Sequence, residues 1–167
     1  MPHGKVIMLQ HQNEQLSHFR LTTLEDIKYL APRLRQEDKQ EILAGSGLLP
    51  YEALYIGFKN AVIVFTIFNP KNKPVGIFGV DDVGNGIGAI WLLATKDLAK
   101  IQIAFLKECR EVIKFLNTKY KILWNFVDCR NQLHIKWLRW CGFKFIRKLN
   151  RGVLQKPFYE IIRINNV

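Results

Sequence analysis

The stretch that decides the fold is IGAIWLLATKDLAKIQIAFLKECREVIKFLNTKYKILWNFVD, residues 87–128. It opens with an apolar run over 87–94, continues as a helical pattern from about Asp97 to Asn117, and closes with a second apolar run over 121–128. In the helical part, apolar residues recur at intervals of 3 or 4, the spacing of one buried helix face. These residues are Leu98, Ile101, Phe105, Cys109, Val112 and Leu116. The stretch therefore predicts a long helix between two buried strands.

The residues that precede this stretch predict further strands. NAVIVFTIF, residues 60–68, is rich in β-branched and aromatic residues, and the NPKNKP that follows is dense in turn formers. VGIFGV, residues 75–80, predicts the next strand. The pair Asn85-Gly86 favours a tight hairpin turn before residue 87, because that turn requires positive φ angles.

The N-terminal part predicts a short strand and then helices. HFRLTT, residues 18–23, alternates like a strand. A helix follows, and its start has two candidate capping boxes, Thr22 with Glu25 or Thr23 with Asp26. A second, charged helix, QEDKQEILA, is predicted to stop at Gly45, and residues 51–59 predict another short helix after Pro50.

The C-terminal part begins with NQLHIKWLRWCGF, residues 131–143. On a helical wheel, Gln132, Lys136 and Arg139 share one narrow arc, while the opposite side is apolar apart from a histidine. A helix that reads DNA needs a wider polar face. We therefore predict that both tryptophans lie in the core and that this helix forms the wall of a pocket.

Two strands, GFKFIRKL and residues 157–164, complete the chain. The predicted order is β-α-α-β-β-β-α-β-α-β-β. This order predicts an α/β fold with a mixed, mostly antiparallel central sheet and helices on both faces.

Composition predicts a single globular domain over residues 1–167, with 1–17 as a flexible or additional N-terminal segment. Of the 167 residues, 49% are apolar, and no apolar run is long enough for a membrane span. The N-terminus does not resemble a signal peptide. The cysteines Cys109, Cys129 and Cys141 are odd in number and lack metal-type spacing, so we expect no metal and a cytoplasmic location, the host cytoplasm if a phage encodes the protein.

The net charge of +11 has three possible interpretations. Clustered lysines and arginines would indicate nucleic acid, because they neutralise phosphates. Here the 25 basic residues are scattered along the sequence, so a solvated basic surface is the favoured interpretation and an anionic cofactor is the third.

The element order and two local patterns resemble the GNAT superfamily, the acyl-CoA-dependent N-acyltransferases. FRLTTLEDIKYL, residues 19–30, resembles that family's opening strand and first helix. Residues 131–143 are similar to its last helix, with Asn131, Gly142 and Phe143 matching. The resemblance covers roughly residues 18–164. It is closest to short acyltransferase-like or internal-virion-type proteins of tailed phages, which share WLLAT before the long helix and a W-L-x-x-x-G-F pattern near the end.

The resemblance implies transfer of an acyl group from acetyl-CoA or another acyl-CoA to an amine. It also implies that two neighbouring parallel strands, through Leu92 and Trp124, part to open a slot that the Asn131 helix lines. The candidate cofactor-binding residues are Leu92, Leu93, Ala94, Thr95, Lys96, Lys100 and Asn131. The strand residues would offer backbone groups to the pantetheine arm, and the lysines would supply charge to the phosphates.

Two departures from the family pattern change what the resemblance implies. No glycine lies between Gly88 and Gly142, so the glycine-rich loop that cradles the pyrophosphate is missing. Leu138 stands where the family often places a tyrosine that protonates the departing thiolate. One turn earlier, His134 is a candidate acid or base, with a satisfied core histidine as the alternative.

Other candidates for the chemistry are carboxylates. Asp81 and Asp82 are candidate bases for the amine, with Glu52 as a further one, and surface carboxylates are the alternative for all three. A nucleophile built from Cys129 and His134 is disfavoured, because nothing in the sequence supplies a third, orienting group.

The sequence is therefore compatible with three functions. The first is an acyltransferase whose acceptor is a small-molecule or protein amine. The second is a catalytically silent protein of the same fold that acts in virion assembly or binds a host or phage protein. The third is a basic nucleic-acid-binding domain.

Overall fold

The fold is described from a computed structural model that covers residues 18–165, so the predicted N-terminal segment 1–17 lies outside the described residues. Seven strands are present in this part of the chain: β1 Phe19–Leu21, β2 Ile63–Phe68, β3 Pro74–Gly84, β4 Ile87–Ala94, β5 Ile122–Asp128, β6 Lys144–Arg151 and β7 Lys156–Ile164. The α-helices are α1 Leu24–Leu30, α2 Gln36–Ser46, α3 Pro50–Asn60, α4 Gln102–Lys119 and α5 Gln132–Trp140, and short 3-10 helices span Ala31–Arg33 and Lys96–Ile101.

The described strands form one sheet in the order β1-β2-β3-β4-β5-β7-β6. β4 and β5 run parallel, and the other neighbouring strands of residues 18–165 pair antiparallel. The parallel pair requires a crossover, which the Lys96–Ile101 helix and α4 provide. The predicted mixed, mostly antiparallel sheet is confirmed.

Helices cover both faces of the sheet, as predicted. Side chains alternate across the strands, so Phe78, Ile90 and Leu92 face α4 and α5, while Ile77 and Leu93 face α1, α2 and α3. The predicted stripe of the long helix is buried in the first of these cores, with Ile101 only partly buried.

The ends of several elements differ from the predictions. The capping box at the start of α1 uses Thr23 and Asp26, the second of the two candidates. α2 continues past Gly45 to Ser46, because the left-handed residue that ends it is Gly47, with φ of 73°. The long helix begins as a 3-10 turn at Lys96 and becomes α-helical only from residue 102. The hairpin turn at Asn85-Gly86 is confirmed, with φ of 54° and 76°.

Candidate functional site

The two parallel strands part, which confirms the expected slot. β4 and β5 pair through Ile87–Ala89 and Ile122–Trp124, and the rest of each described strand diverges. The side chain of Asn125 reaches across the beginning of the gap and donates a hydrogen bond to the Ile90 carbonyl.

A cavity of about 400 Å³ lies at this parting. The parted strands, α2, α3 and the buried face of α5 line it, with His134, Trp137 and Leu138 contributed by α5. The prediction that residues 131–143 form a pocket wall is thus confirmed for these side chains. Trp140 corrects it: this tryptophan is 47% exposed rather than in the core, because it lies at the boundary between the apolar and polar arcs in the last turn.

The carboxyl end of β4 is hydrogen-bonded by the start of α2. Thr95 donates its backbone N–H to Val75 of β3, so the backbone groups of Ala94 point away from β3 toward the gap. There the Ala94 N–H donates to the Asp38 carboxylate at 2.9 Å, and the Ala94 carbonyl accepts from the Arg35 N–H at 2.8 Å. Both backbone groups of Ala94 therefore have partners within the chain.

Asp38 is the centre of a set that we call the buried polar cluster: Arg35, Asp38, Glu41, Asn131 and His134. The Arg35 guanidinium donates twice to Asp38, at 2.8 and 3.1 Å, and the Asn131 amide donates at 3.0 Å. Asp38 and Asn131 are fully buried, and Arg35 is 6% exposed. The cluster joins α2, β4 and the N-terminus of α5 by charge-assisted hydrogen bonds.

Glu41 lies one turn beyond Asp38 and lines the cavity. Its carboxylate accepts hydrogen bonds from the Asn131 amide and from the Asp128 N–H. Burial raises the pKa of Glu41 from 4.5 to about 8, and these two hydrogen bonds only partly offset that effect. The Glu41 carboxyl group is therefore largely protonated at neutral pH.

His134 is buried and uncharged at neutral pH. Burial lowers its pKa from 6.5 to about 4, with nearby Asp38 acting in the opposite direction. Its Nε2 atom is 3.5 Å from the Asp38 carboxylate but has no hydrogen-bond partner among the described residues. A neutral imidazole in this position lacks the second ring proton that an acid would donate to a thiolate.

Three backbone N–H groups at the turn that follows β4 have acceptors within the chain. The Thr95 N–H donates to Val75, the Leu98 N–H donates to the Thr95 carbonyl, and the Asp97 N–H donates to the Thr95 hydroxyl. Lys100 is paired with Asp97 at 2.7 Å on the surface, and Lys96 is exposed and lines, with Thr95, a further pocket of about 370 Å³. The residues predicted to hold the phosphates thus form a turn whose N–H groups at 95, 97 and 98 are occupied.

The remaining predicted strand residues differ in their positions. Leu92 faces the gap with its backbone and the α4/α5 core with its side chain. Leu93 pairs with Ile77 of β3, and its side chain lies on the other face of the sheet. Both leucines line the cavity at the parting, and of the two it is Leu92 whose backbone groups point away from β3 toward the gap.

Of the candidate carboxylates, Asp81 lines the cavity, whereas Asp82 and Glu52 bond backbone N–H groups close to them in sequence. Asp81 lines the cavity, where it accepts a hydrogen bond from the Trp91 indole at 3.2 Å, and its partial burial raises its pKa. Asp82 accepts from the Gly84 N–H in the hairpin turn, and Glu52 caps α3 by accepting from Leu49 N–H. Burial also raises the pKa of the Cys129 thiol, which disfavours a thiolate nucleophile there.

Sequence reasoning missed Arg35, Asp38 and Glu41. In the sequence these residues belong to a charged helix that looks like an ordinary solvated one. Their spacing of three, which places them on one helix face, was the available signal. That face becomes buried only because α2 packs its first turn against the end of β4.

No cluster of three or more metal-binding side chains occurs in residues 18–165. Within the same residues, no helix is long and apolar enough to cross a membrane.

The parted parallel strands, within a seven-stranded mixed sheet covered by helices on both faces, define the class: the fold is that of the GNAT acetyltransferases. The ribosomal-protein-alanine N-acetyltransferase from Brucella melitensis has a TM-score of 0.67 to this chain, at 14% identity over 88% of this chain and 99% of that one. The spermidine N-acetyltransferase from Vibrio cholerae, in complex with CoA and spermine, has a TM-score of 0.64 at 11% identity, over 87% and 94%. Aminoglycoside acetyltransferase AAC(6')-Ib, in complex with coenzyme A, has a TM-score of 0.64 at 15% identity, over 89% and 94%.

At the level of sequence families, residues 79–149 match a family described as Bacteriophage T7, probable scaffold protein Gp13. The matched region runs from the middle of β3 into β6 and is less than half of the chain. A comparison with curated proteins finds no match.

Proposed function

We propose that this chain is a GNAT-fold protein that does not transfer acyl groups and that binds another protein during assembly of a phage particle. The observation that carries the proposal is the occupied end of β4, where Arg35 and Asp38 already bond both backbone groups of Ala94.

This observation bears directly on whether acyl-CoA fits. A pantetheine arm that lay along this edge of β4 would have to replace Asp38 and Arg35 at Ala94. The buried Asp38 carboxylate would lose one of its donors and the Arg35 backbone N–H would lose its acceptor, and each buried polar group left unpaired in this way costs about 1–3 kcal/mol. Asn125 holds the Ile90 carbonyl in the same way at the other end of the gap. The residues present therefore do not fit the cofactor that the fold implies.

The turn after β4 supports the same conclusion. A backbone cradle for a pyrophosphate consists of N–H groups that point outward at a helix N-terminus. Here the N–H groups of Thr95, Asp97 and Leu98 have acceptors inside the chain, and the chain has no glycine at this turn that would let a phosphate approach closely. Leu138 at the position of the family's tyrosine cannot give a proton.

The assembly role is supported by the match of residues 79–149 to a family described as a probable phage scaffold protein. A scaffold acts by binding proteins, and this fold offers a stable, strongly basic surface for that purpose.

A thiol-release assay tests the absence of acyl transfer. We expect no CoA thiol above background from acetyl-CoA or longer acyl-CoAs with spermine, an aminoglycoside or a lysine-containing peptide as acceptor.

Sedimentation of the tagged chain from cells infected with the phage that encodes it tests the assembly role. We expect the chain to sediment with particles; turnover of acyl-CoA, or a chain that stays at the top of the gradient, contradicts the proposal.

A second candidate, N-acyl transfer to an amine, is favoured by one observation. The cavity holds the Glu41 carboxyl group with a pKa of about 8, so its carboxylate form, which can accept a proton from an amine, is the main form above that pH. The same thiol-release assay decides this candidate, and loss of turnover in Glu41→Gln would identify the base.

A further inference from the structure

The positive charge of the chain is concentrated in its C-terminal part. Lysines and arginines occur throughout the sequence, but of the 14 acids only Glu160 lies after Asp128. Residues 129–167 contain nine lysines and arginines, so they carry +8 of the net charge of +11. These residues form α5, β6 and β7, and β6 is an edge strand of the described sheet. Such an asymmetry of charge is typical of a chain that contacts an anionic partner.

Three exposed cations lie on the surface that α5 and β6 share. The Arg139 guanidinium lies 5.1 Å from the centre of the Phe145 ring, and the Lys148 ammonium lies 5.9 Å from the centre of the Tyr159 ring. The centres of these two rings are 5.5 Å apart, and the rings meet edge to face. Lys136 precedes Arg139 by three residues on the same polar arc of α5. We call Lys136, Arg139 and Lys148 the α5/β6 basic surface.

The surface continues along α5 because β6 runs back beside the helix. At one end, Arg139 contacts the start of β6. At the other end, Lys148 is close enough to the Cys129 thiol to oppose the rise in its pKa that burial causes. The exposed Gln132 side chain donates a hydrogen bond to the Cys129 carbonyl at this end. Lys136 lies on α5 between the two ends, so the three cations form one continuous surface.

The charge of this surface is not neutralised within the chain. None of its three cations forms an ion pair with a carboxylate in residues 18–165. The acids nearest in sequence have other partners, since Glu160 pairs with Arg147 and Asp128 pairs with Arg130. The surface is therefore balanced by ions from the solvent, and a polyanion that displaces those ions gains the entropy of their release.

We propose that the α5/β6 basic surface binds double-stranded nucleic acid through its phosphates, without regard to base sequence. This inference goes beyond the proposed function and does not depend on it. The polar arc of α5 is too narrow to reach base edges in a groove, so the contacts are to the backbone. A duplex carries one negative charge per about 1.7 Å of its axis, twice the charge density of one of its strands.

The rings at this surface favour a duplex over a single strand and over an acidic protein. Bases of a single strand stack on free aromatic faces, but Phe145 and Tyr159 each have a cation over the ring and pack against each other. The two rings also fill the space between Arg139 and Lys148. An acidic protein segment would therefore lack the apolar pocket that anchors most protein interfaces.

Fluorescence anisotropy of a labelled DNA duplex of about 24 base pairs tests the proposal on the full chain. We expect a Kd in the micromolar range at about 50 mM NaCl. The logarithm of the association constant should fall with the logarithm of the salt concentration with a slope of about −3, close to −0.9 for each phosphate contacted. Polyglutamate of similar charge is the comparison polyanion, and we expect it to bind at least about tenfold more weakly.

Two triple variants locate the binding. The first combines Lys136→Gln, Arg139→Gln and Lys148→Gln. It should weaken duplex binding at least about tenfold and make the salt slope shallower by about 2–3, because each lost phosphate contact removes about one unit. The matched control combines three exposed lysines of α3 and of the turn between β2 and β3, Lys59→Gln, Lys71→Gln and Lys73→Gln. It removes the same charge from the other half of the sheet and should leave the slope unchanged.

Several outcomes overturn the proposal. These are no duplex binding at about 50 mM NaCl with up to about 100 µM protein, a salt slope shallower than about −1, or an equal loss of binding in the two triple variants. Polyglutamate that binds as tightly as the duplex would assign the surface to an acidic protein instead. All of these failures are distinct from failure of the proposed function, which acyl-CoA turnover would show.

Discussion

At the scale of single residues, Asp38 holds the interior of the slot together. Its carboxylate accepts hydrogen bonds from the Arg35 guanidinium, the Asn131 amide and the Ala94 N–H, and it is fully buried. A buried ion pair of this kind contributes little net stability when it is intact, but it is costly to break, because the remaining partner keeps its charge without compensation.

The first prediction concerns this carboxylate. We expect Asp38→Ala to lower the free energy of unfolding by about 3–5 kcal/mol, because it leaves the Arg35 guanidinium buried and unpaired. Urea denaturation measures the change. The matched control is Asp97→Ala, which removes the exposed, solvent-screened ion pair with Lys100 and should cost much less. A loss at Asp38 no larger than at Asp97 would refute the role assigned to the buried polar cluster.

The second prediction concerns pH and Glu41. The folded protein keeps the Glu41 proton up to a pKa of about 8, whereas the unfolded chain loses it near 4.5, so this group lowers stability as pH rises from 4.5 to 8. Glu41→Gln mimics the protonated acid and removes this dependence. We expect the free energy of unfolding of the variant, relative to that of wild type, to rise by about 2 kcal/mol as pH increases from 5 to 8. This figure is reduced for solvent screening, because the side chain is partly exposed.

Urea denaturation at each pH measures this gain, and Glu37→Gln provides the control, because Glu37 is exposed on the same helix. A difference between Glu41→Gln and wild type that does not change with pH would contradict the burial of the Glu41 carboxyl group.

The sequence predicted only part of what these residues do. The burial of His134 could be predicted, because it lies on the wide apolar face of α5. The roles of Arg35, Asp38 and Glu41 could not, because a charged helix face is normally solvated and only the tertiary packing of α2 on β4 buries it. Asp81 and Asp82 are adjacent in β3, yet the alternation of side chains in a strand places Asp81 at the cavity, while Asp82 accepts a hydrogen bond from the Gly84 N–H.

At the scale of elements, the turn between β6 and β7 closes the cavity against α2. Val153 and Leu154 donate backbone hydrogen bonds to the carbonyls of Gly45 and Ala44. The turn also positions Arg151, whose guanidinium lies 3.8 Å from the centre of the Phe126 ring at the cavity. The cavity is thus bounded by a contact between elements far apart in sequence.

A glycine pair tests this contact. Gly152 has φ of 78°, and a Cβ there would lie 2.2 Å from the Ala44 carbonyl oxygen, so Gly152→Ala must displace the turn from α2. Gly84 has a similar φ of 87° but nothing within 4 Å, so Gly84→Ala carries only the backbone cost of about 1–2 kcal/mol. We expect Gly152→Ala to lose clearly more stability than Gly84→Ala in urea denaturation. Equal losses would mean that the turn does not rest on α2.

Element types were predictable because the periodicity of apolar residues differs between strands and helices. Element ends were less so. Gly45 and Gly47 are both plausible stops for α2, and the choice depends on which one adopts the left-handed conformation. The 3-10 start of the long helix leaves no mark on the apolar spacing, which continues through it.

At the scale of the whole molecule, the sheet has the parted β4 and β5 of an acetyltransferase fold. The first turn of α2 and the residue before it bond the backbone groups at the end of β4. This arrangement retains a cavity of about 400 Å³ at the parting and a smaller, mostly apolar one of about 230 Å³ beside α5. A fold whose cofactor edge is bonded internally is free to use its outer surfaces for binding proteins.

Isothermal titration of acetyl-CoA into the protein at neutral pH tests the central claim, that the chain's own residues occupy the cofactor edge of β4. The spermidine N-acetyltransferase of Vibrio cholerae, whose structure contains CoA, is the positive control. We predict no saturable heat for this chain at up to millimolar acetyl-CoA. Saturable one-to-one binding with a Kd below about 100 µM, in the range usual for enzyme substrates, would contradict the account.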